Sequence, residues 1–544
     1  MSDDRHWYRS AVFYEVLARS FGDADGDGVG DLRGLTDRLE YLEWLGVDCL
    51  WLPPIFDSPL RDGGYDIRDY YAIHPDVGTV DDMADLLDAA HRRGIRVISD
   101  LVVNHTSDEH AWFQEARRPG SDMRDWYVWS DTPERYSDAR IIFIDSEASN
   151  WTWDDQAQAY FWHRFYHFQP DLNFDNPDVR EAMLDVVRHW MRMGFDGFRM
   201  DAVPYLYERE GTNGENLPET HEYLKLIRRT IDDEFGGTKV LLAEANQWPR
   251  DAAAYYGDGD ECHMNFHFPV MPRLYMGLAK GHADDLREIL ADTPPIPDAA
   301  QWGIFLRNHD ELTLEMVTPE QRDFMWDTFA PDPRMKLNLG IRRRLAPLVG
   351  GDRAAIELLH GLLFSLPGSP VMYYGDEIGM GDAYLLDDRD GVRTPMQWTA
   401  EPGAGFSTAD PEAFWLPLVD DPDYDPSRVN VADQRDDPGS LLSWVRAMLA
   451  ARRHHPEMGL GDFTMVETGT AAVFGFLRRL DDVTTLVVAN FSRDPQAAVV
   501  DDRLVAGMRP VDTATGERLT TVGVDPIRIE LGPLEFHWVS LAPR

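Results

Sequence analysis

The feature that most constrains this chain is an alternation repeated eight times: a short apolar run, then a stretch whose apolar residues recur at helical spacing. The runs cover 11–17, 47–52, 95–103, 197–203, 239–245, 262–268, 303–306 and 370–374. Between the first two, Leu32, Leu35, Leu39, Leu42 and Leu45 line one helical face. Between the third and fourth, Val179, Met183, Val186 and Trp190 do the same. Asn176-Pro177 gives that second helix an N-cap and a proline at its first position. Eight strands with intervening helices predict an α/β fold, a (β/α)8 TIM barrel.

Two stretches do not fit a simple barrel. Between His105 and Asn176 lie about 70 residues rich in Trp, Tyr, His and Asp, far beyond ordinary loop length. They predict a small inserted domain after strand 3, over the C-terminal mouth where such barrels build active sites. Its aromatics, such as Trp151, Trp153, Trp162, Phe165 and Tyr166, are expected to form mostly the insert's own core. After a helix near 441–455 the pattern changes to alternating strands, including 470–476, 484–488 and 535–541, which predicts a C-terminal all-β sandwich. The expected division is 1–105 and 171–456 for the barrel, 106–170 for the insert and 457–544 for the β-domain. The Pro/Asp-rich stretch 420–426 reads as an exposed loop.

Composition removes several function classes. Among 544 residues, 43% are hydrophobic and 27% charged, which suits a globular protein. No apolar run approaches the roughly 18 residues of a membrane span. Cys49 and Cys262 are the only cysteines, too few for a disulfide framework or a cysteine metal cluster, and both are expected to be buried thiols. With 96 acidic against 52 basic residues the formal charge is −44, which repels nucleic acid and anionic membranes. Four of the 52 bases are lysines. An acidic, lysine-poor surface fits a protein solvated at high salt, and a GC-rich genome favouring arginine codons explains the same ratio. The start Met1-Ser2-Asp3-Asp4 lacks the basic then apolar pattern of a signal peptide, so a cytoplasmic location is expected.

In a parallel barrel, polar residues at strand C-termini converge on one mouth. Strand 3 is expected to end with Asn104-His105, strand 4 to carry Arg199 and Asp201, strand 5 to carry Glu244, and strand 7 to end with Asn308-His309-Asp310. Alternation along the strand puts Arg199 and Asp201 on one face. Three carboxylates, Asp201, Glu244 and Asp310, are thus expected at one site. Paired carboxylates are what retaining glycoside chemistry needs, one attacking the anomeric carbon and the other protonating the leaving oxygen. Arg199 would favour the ionised, nucleophilic form of Asp201. Glu244 follows the apolar run Val240-Leu241-Leu242-Ala243, and burial there would raise its pKa toward working pH.

The segments GGYDIRDY (63–70), DLVVNH (100–105), GFRMDAV (197–203), LLAEAN (241–246) and FLRNHDE (305–311) resemble the conserved regions of the α-amylase superfamily, glycoside hydrolase family 13. The resemblance implies Asp201 as nucleophile, Glu244 as general acid/base and Asp310 as the carboxylate stabilising an oxocarbenium-like sugar. It implies that Tyr65, His105, Arg199 and His309 serve the sugar site, with His105 and His309 bonding its hydroxyls. It also implies that Asp66 and Arg393 close the pocket behind one glucose, favouring a disaccharide over starch. Longer segments resemble the superfamily's maltose-to-trehalose isomerases: 7–16, 58–70, 167–180, 203–221, 241–249, 301–318, 368–382 and 388–398. That likeness runs from about Trp7 to His455. It implies maltose, trehalose and glucose as ligands, and Tyr205, Glu311 and Glu315 as residues closing the pocket over the second sugar.

Two metal sites are expected. The loop 23–31 places Asp23, Asp25, Asp27 and Asp31 at positions 1, 3, 5 and 9 of a calcium loop, with Gly28 at 6 and the Val29 carbonyl at 7; Gly34 stands where the acidic twelfth residue belongs. Ca²⁺ and Mg²⁺ both suit it. By resemblance alone, Asn104, Asp171 and Glu208, with the carbonyls of Tyr205 and Leu206, would bind Ca²⁺ where insert meets barrel. No organic cofactor is expected. A homo-oligomer is expected, and the family likeness offers a maltokinase as a partner. Three functions stand open: the isomerase, an α-glucosidase or oligo-1,6-glucosidase with the same site open to water, and an inactive sugar-binding scaffold.

Overall fold

The computed structural model describes residues 4–500, 503–505, 508–513, 522–524 and 526–543. Eight parallel strands close into a barrel: β1 (Phe13–Glu15), β2 (Cys49–Leu52), β3 (Arg96–Val102), β4 (Gly197–Asp201), β5 (Val240–Ala243), β6 (Met264–Phe266), β7 (Gln301–Phe305) and β8 (Ser369–Tyr373). Each pairs with its neighbours in sequence, and β1 closes the ring against β8, Phe13 beside Val371 and Glu15 beside Tyr373. Nearly every strand residue is buried, because helices cover the outer face and side chains fill the inner one.

The helices form where their caps allow. Val80–Arg92 starts with a capping box in which Thr79 and Asp82 satisfy each other's backbone N–H. In Pro177–Met193 the Asn176 side chain accepts the Asp178 N–H, and the helix ends at Gly194. The leucine stripe between β1 and β2 is two helices, Leu32–Asp37 and Leu39–Leu45, broken at Arg38.

The long segment after β3 carries a three-stranded antiparallel sheet of Trp129–Ser130, Trp151–Asp154 and Ala159–Trp162. A bridge between His105 and Asp171 draws its two ends together at the mouth of the barrel. Val128, Tyr136, Trp151 and Trp162 form a small core within it. Beyond the helix Leu441–His454 a five-stranded and a three-stranded antiparallel sheet stack as a sandwich. One face of the larger sheet, through Phe474, Phe476, Val487 and Trp538, joins the barrel core. Its other face, through Val473, Leu477, Leu486 and Val488, packs on Ala498, Val500, Ile527 and Ile529 of the smaller sheet. Cys49 and Cys262 are buried free thiols. Among the described residues no helix is long and apolar enough to cross a membrane.

Candidate active site

The C-terminal ends of β3, β4, β5 and β7 open into a cavity of about 910 Å³, open solvent at its mouth included. The strand ends contribute His105, Asp201, Glu244, Asn308 and Asp310. The insert contributes Ile142, Phe143 and Phe165, and loops add Asp62, Tyr65, Tyr205, Asn246, Glu311, Glu315 and Arg389. The three carboxylates predicted from strand ends therefore face one space.

Register explains the electrostatics of the floor. β3 and β4 place Asp100 beside Arg199, while β4 and β5 place Arg199 beside Leu242, so the buried guanidinium sits centrally among strand ends. It reaches Asp201 at 2.5 Å, Glu244 at 2.5 Å and Asp100 at 2.9 Å. Asp100 also accepts from the Tyr65 hydroxyl at 2.5 Å and from the Trp51 indole. Burial lifts the Asp100 carboxyl to about 6 against the pull of Arg199. Burial likewise pushes Glu244 well above the usual carboxylate range, and Arg199 only partly counters it. A carboxyl kept protonated toward neutral pH is what a general acid requires.

Asp310 sits in the opposite environment. Although burial opposes its charge, His309, Arg389 and Arg393 hold it well below the usual range; Arg389 lies 3.0 Å and Arg393 3.2 Å from its Oδ1. Two carboxyls of one cavity are thus pushed apart, one toward the acid form and one toward the anion. His105 lines the cavity with its ring held neutral, burial lowering it to about 4, and its Nε2 has no protein partner. His309 does not line the cavity. It is fully engaged beneath, with Glu15 on Nδ1 and Tyr65 and Asp310 on Nε2.

One pairing expected from the sequence is corrected. Asp66 and Arg393 do not meet and neither lines the cavity. Asp66 is buried within its own turn, accepting the Ser58 hydroxyl at 2.9 Å and the N–H groups of Arg61 and Asp62 at 3.1 and 3.2 Å. Arg393 lies below, donating to the His309 carbonyl and to Asp310. The pair at the cavity wall stands four residues earlier in each segment: Asp62 and Arg389, 3.3 Å apart. Burial raises Asp62 to about 7 despite Arg389.

Arg140 of the insert was not anticipated. It is 2.8 Å from Glu215 and 2.9 Å from Glu315, and donates to the Tyr205 hydroxyl at 3.3 Å. Glu215 also holds Arg164 at 2.7 Å and Gln247 at 3.0 Å. Glu311 accepts from Asn338 at 3.2 Å, and the Asn338 N–H donates to Asp145 of the insert at 2.8 Å. The insert is thus tied across the mouth to the loops after β4 and β7, and Gln247 of the loop after β5 joins through Glu215. Of its aromatics, Phe165 lines the cavity and Tyr166 accepts from Arg389, while Trp153 is exposed.

Two groups of oxygen donors suit a hard cation. Asn104 Oδ1, Asp171 Oδ2 and Glu208 Oε1 are all buried without a hydrogen-bond partner, and burial raises Asp171 to about 7 and Glu208 well above its range. Arg164 offsets the burial of these two carboxylates only in part, and a divalent ion would supply further positive charge. In the loop 23–31, ligand oxygens of Asp23, Asp25 and Asp27 lie within 4.8 Å of one another. Asp31 is not among them; its oxygens, like those of Asp23, accept backbone N–H groups, here from Gly34 at 2.7 Å and Ala24 at 2.9 Å. Position 34 cannot carry an acid, because a Cβ there would fall 2.0 Å from the Gly22 carbonyl oxygen.

The alpha amylase catalytic domain matches residues 15–325 and 342–461, and the maltogenic amylase C-terminal domain matches 463–538. The chain belongs to the α-amylase family. It is 58% identical to the trehalose synthase/amylase TreS of Mycobacterium tuberculosis across 99% of this chain and 91% of that one. To the trehalose synthase of Pimelobacter sp. it is 55% identical across 99% of this chain and 97% of the other. Maltase A2 of Drosophila melanogaster is more distant, 35% identical over 79% of this chain and 76% of its own. Among solved structures, the alpha-glucosyl transfer enzyme XgtA superposes with a TM-score of 0.80 at 29% identity, covering 99% of both chains. The trehalulose synthase MutB of Pseudomonas mesoacidophila gives 0.79 at 26%, covering 98% of this chain and 99% of the other.

Proposed function

We propose that this protein isomerises maltose to trehalose by retaining double displacement, with minor hydrolysis to glucose. The observation that carries the reading is a cavity with three carboxylates at its floor, walled behind by Asp62 and Arg389 and strapped over by Arg140. Such a chamber suits one disaccharide and hinders water. Full-length identity of 55–58% to proteins named trehalose synthase supports it.

Asp201 attacks C1 of the non-reducing glucose as the bond from C1 to the bridging oxygen breaks. Glu244 gives its proton to that oxygen, and glucose is freed in the chamber. The glucose turns and presents its anomeric hydroxyl. Glu244, now a carboxylate, takes the proton as the oxygen displaces Asp201 from C1. Two inversions yield the α,α-1,1 bond. Asp310, held as an anion, stabilises the positive charge that develops on the ring. Asp62 and Arg389 take the role of reading the terminal glucose, and His105 donates to or accepts from its hydroxyls. Tyr205, Glu311 and Glu315 face the second sugar. Water reaching the same intermediate gives glucose instead, so closure decides the product. Incubating pure protein with maltose alone and separating trehalose from glucose tests the reading; glucose without trehalose would favour the α-glucosidase alternative.

Asn104, Asp171 and Glu208, with the Tyr205 and Leu206 carbonyls, would hold Ca²⁺ where the insert meets the barrel. Asp23, Asp25, Asp27 and the Val29 carbonyl would hold a second ion, Ca²⁺ or Mg²⁺. Both ions are structural in this reading. The charge of −44 supports a cytoplasm of high ionic strength, and loss of activity in molar KCl would refute that. A homo-oligomer and a maltokinase partner complete the proposal, and light scattering and co-purification test them.

A further inference from the structure

Glu15 ends β1 and is fully buried beneath the cavity, where no substrate reaches it. Its Oε1 contacts His309 twice, accepting the backbone N–H at 3.3 Å and closing on Nδ1 of the ring. The far side of the ring faces two more oxygens, the Tyr65 hydroxyl at 2.7 Å and Asp310 Oδ2 at 3.2 Å from Nε2.

Donor counting decides the state of this ring. A tyrosine hydroxyl has one proton, and Tyr65 gives its proton to Asp100, which also accepts from Arg199 and Trp51. Toward His309, Tyr65 can therefore only accept. Asp310 is an acceptor as well, so Nε2 must carry hydrogen. Glu15 Oε1 accepts the backbone N–H, and as a carboxylate it can only accept from the ring as well, so with Glu15 ionised Nδ1 carries hydrogen too. With both nitrogens donating, the ring is an imidazolium.

We propose that Glu15 is a positioning residue that keeps His309 in its cationic, doubly donating form, and through it orients Asp310 under the sugar ring. The inference rests on the role given above to Asp310. The charged groups facing His309 are Glu15 from β1, Asp310 beside it, Asp100 through Tyr65, and Arg393, whose Nε donates to the His309 carbonyl at 2.9 Å. The Trp51 ring packs edge-on from β2. Burial disfavours the cation, yet Asp310 and Glu15 raise the ring to about 9. A glutamine in place of Glu15 could accept from Nδ1 but would bring no opposing charge. The pull on the proton would fall, and deprotonation would remove the positive charge that faces Asp310.

The test uses α-glucosyl fluoride, because fluoride leaves without a proton from Glu244 and the alkaline limb then reports other groups. For Glu15→Gln, the alkaline limb of kcat/KM should move down by about one to two pH units, with Glu15→Asp restoring part of it. An unshifted limb in a variant of wild-type thermal stability would overturn the proposal. Should Glu15→Gln fail to fold, ring ¹⁵N shifts in histidine-labelled wild-type protein decide: two protonated nitrogens on His309 at neutral pH are expected, and a neutral ring would refute the assignment. Absence of any fluoride release by wild-type protein would refute the proposed function instead, and the ¹⁵N result would still stand.

Discussion

Arg140 of the insert and Glu315 of the loop after β7 form an ion pair of 2.9 Å between segments 175 residues apart. The same guanidinium holds Glu215 and Tyr205, so one side chain fastens the insert to two barrel loops. Arg140→Met should leave maltose turnover in place while raising the ratio of glucose to trehalose severalfold, since water then competes for the glucosyl enzyme. Chromatography of products from maltose checks this. An unchanged ratio would mean that the strap does not govern water entry.

The wall behind the first sugar gives a sharper contrast. Removing Arg389 as Arg389→Ala should cost about 10–100-fold in kcat/KM on maltose, as for a lost charged hydrogen bond, and should admit maltotriose. Asp66→Asn, in the buried turn, should instead lower the melting temperature with KM little changed. Steady-state kinetics with maltose and maltotriose, beside thermal melts, separate the wall at Arg389 from the turn at Asp66. Equal effects on KM would return Asp66 to the sugar site.

Glu244 predicts a pH dependence. Burial raises its carboxyl, and the protonated form is the one that donates, so activity on maltose should fall as pH rises through the raised value. That limb should vanish with α-glucosyl fluoride, whose departure needs no acid. Glu244→Gln should lower kcat on maltose by about 10²–10⁴-fold and slow fluoride release less. Two substrates and two proteins, followed across pH, give the comparison.

The oxygen clusters predict metal-linked stability. Chelation followed by dialysis should lower the melting temperature, and restoring Ca²⁺ should recover it by mass action. Glu208→Gln should weaken recovery at the site between insert and barrel, and Asp25→Ala at the loop site. A melting temperature indifferent to chelation would remove both ions from the account.

Much of this site was legible because strand ends are legible. An apolar run fixes a strand, alternation puts Arg199 and Asp201 on one face, and the barrel brings Glu244 and Asp310 to the same mouth. Loops carry no such period. The turn holding Asp62 and Asp66 passes through Gly63 and Gly64, both at positive φ, and nothing in the spacing says which carboxylate faces inward. Arg389 and Arg393 are likewise separated by a short 3-10 turn, Asp390–Val392. Arg140 lies in a non-periodic stretch, and its partners come from distant loops. The leucine stripe after β1 kept its apolar face through the break at Arg38, which spacing alone did not reveal. Glu15 sits at a strand end like the others, yet its partner comes from β7, and only closure of the ring brings them together.

That closure has a consequence for how the protein comes into being. Of the barrel strands β1 precedes the others and β8 follows them, and the ring exists only once Phe13 lies beside Val371. The floor draws on β1, β3, β4, β5 and β7, and its wall on Arg389 beyond β8. A chain emerging from the ribosome therefore has no partial site that could cleave maltose carelessly while the rest is being synthesised. Competence arrives late, once the ring has closed and the segment carrying Arg389 beyond it is in place.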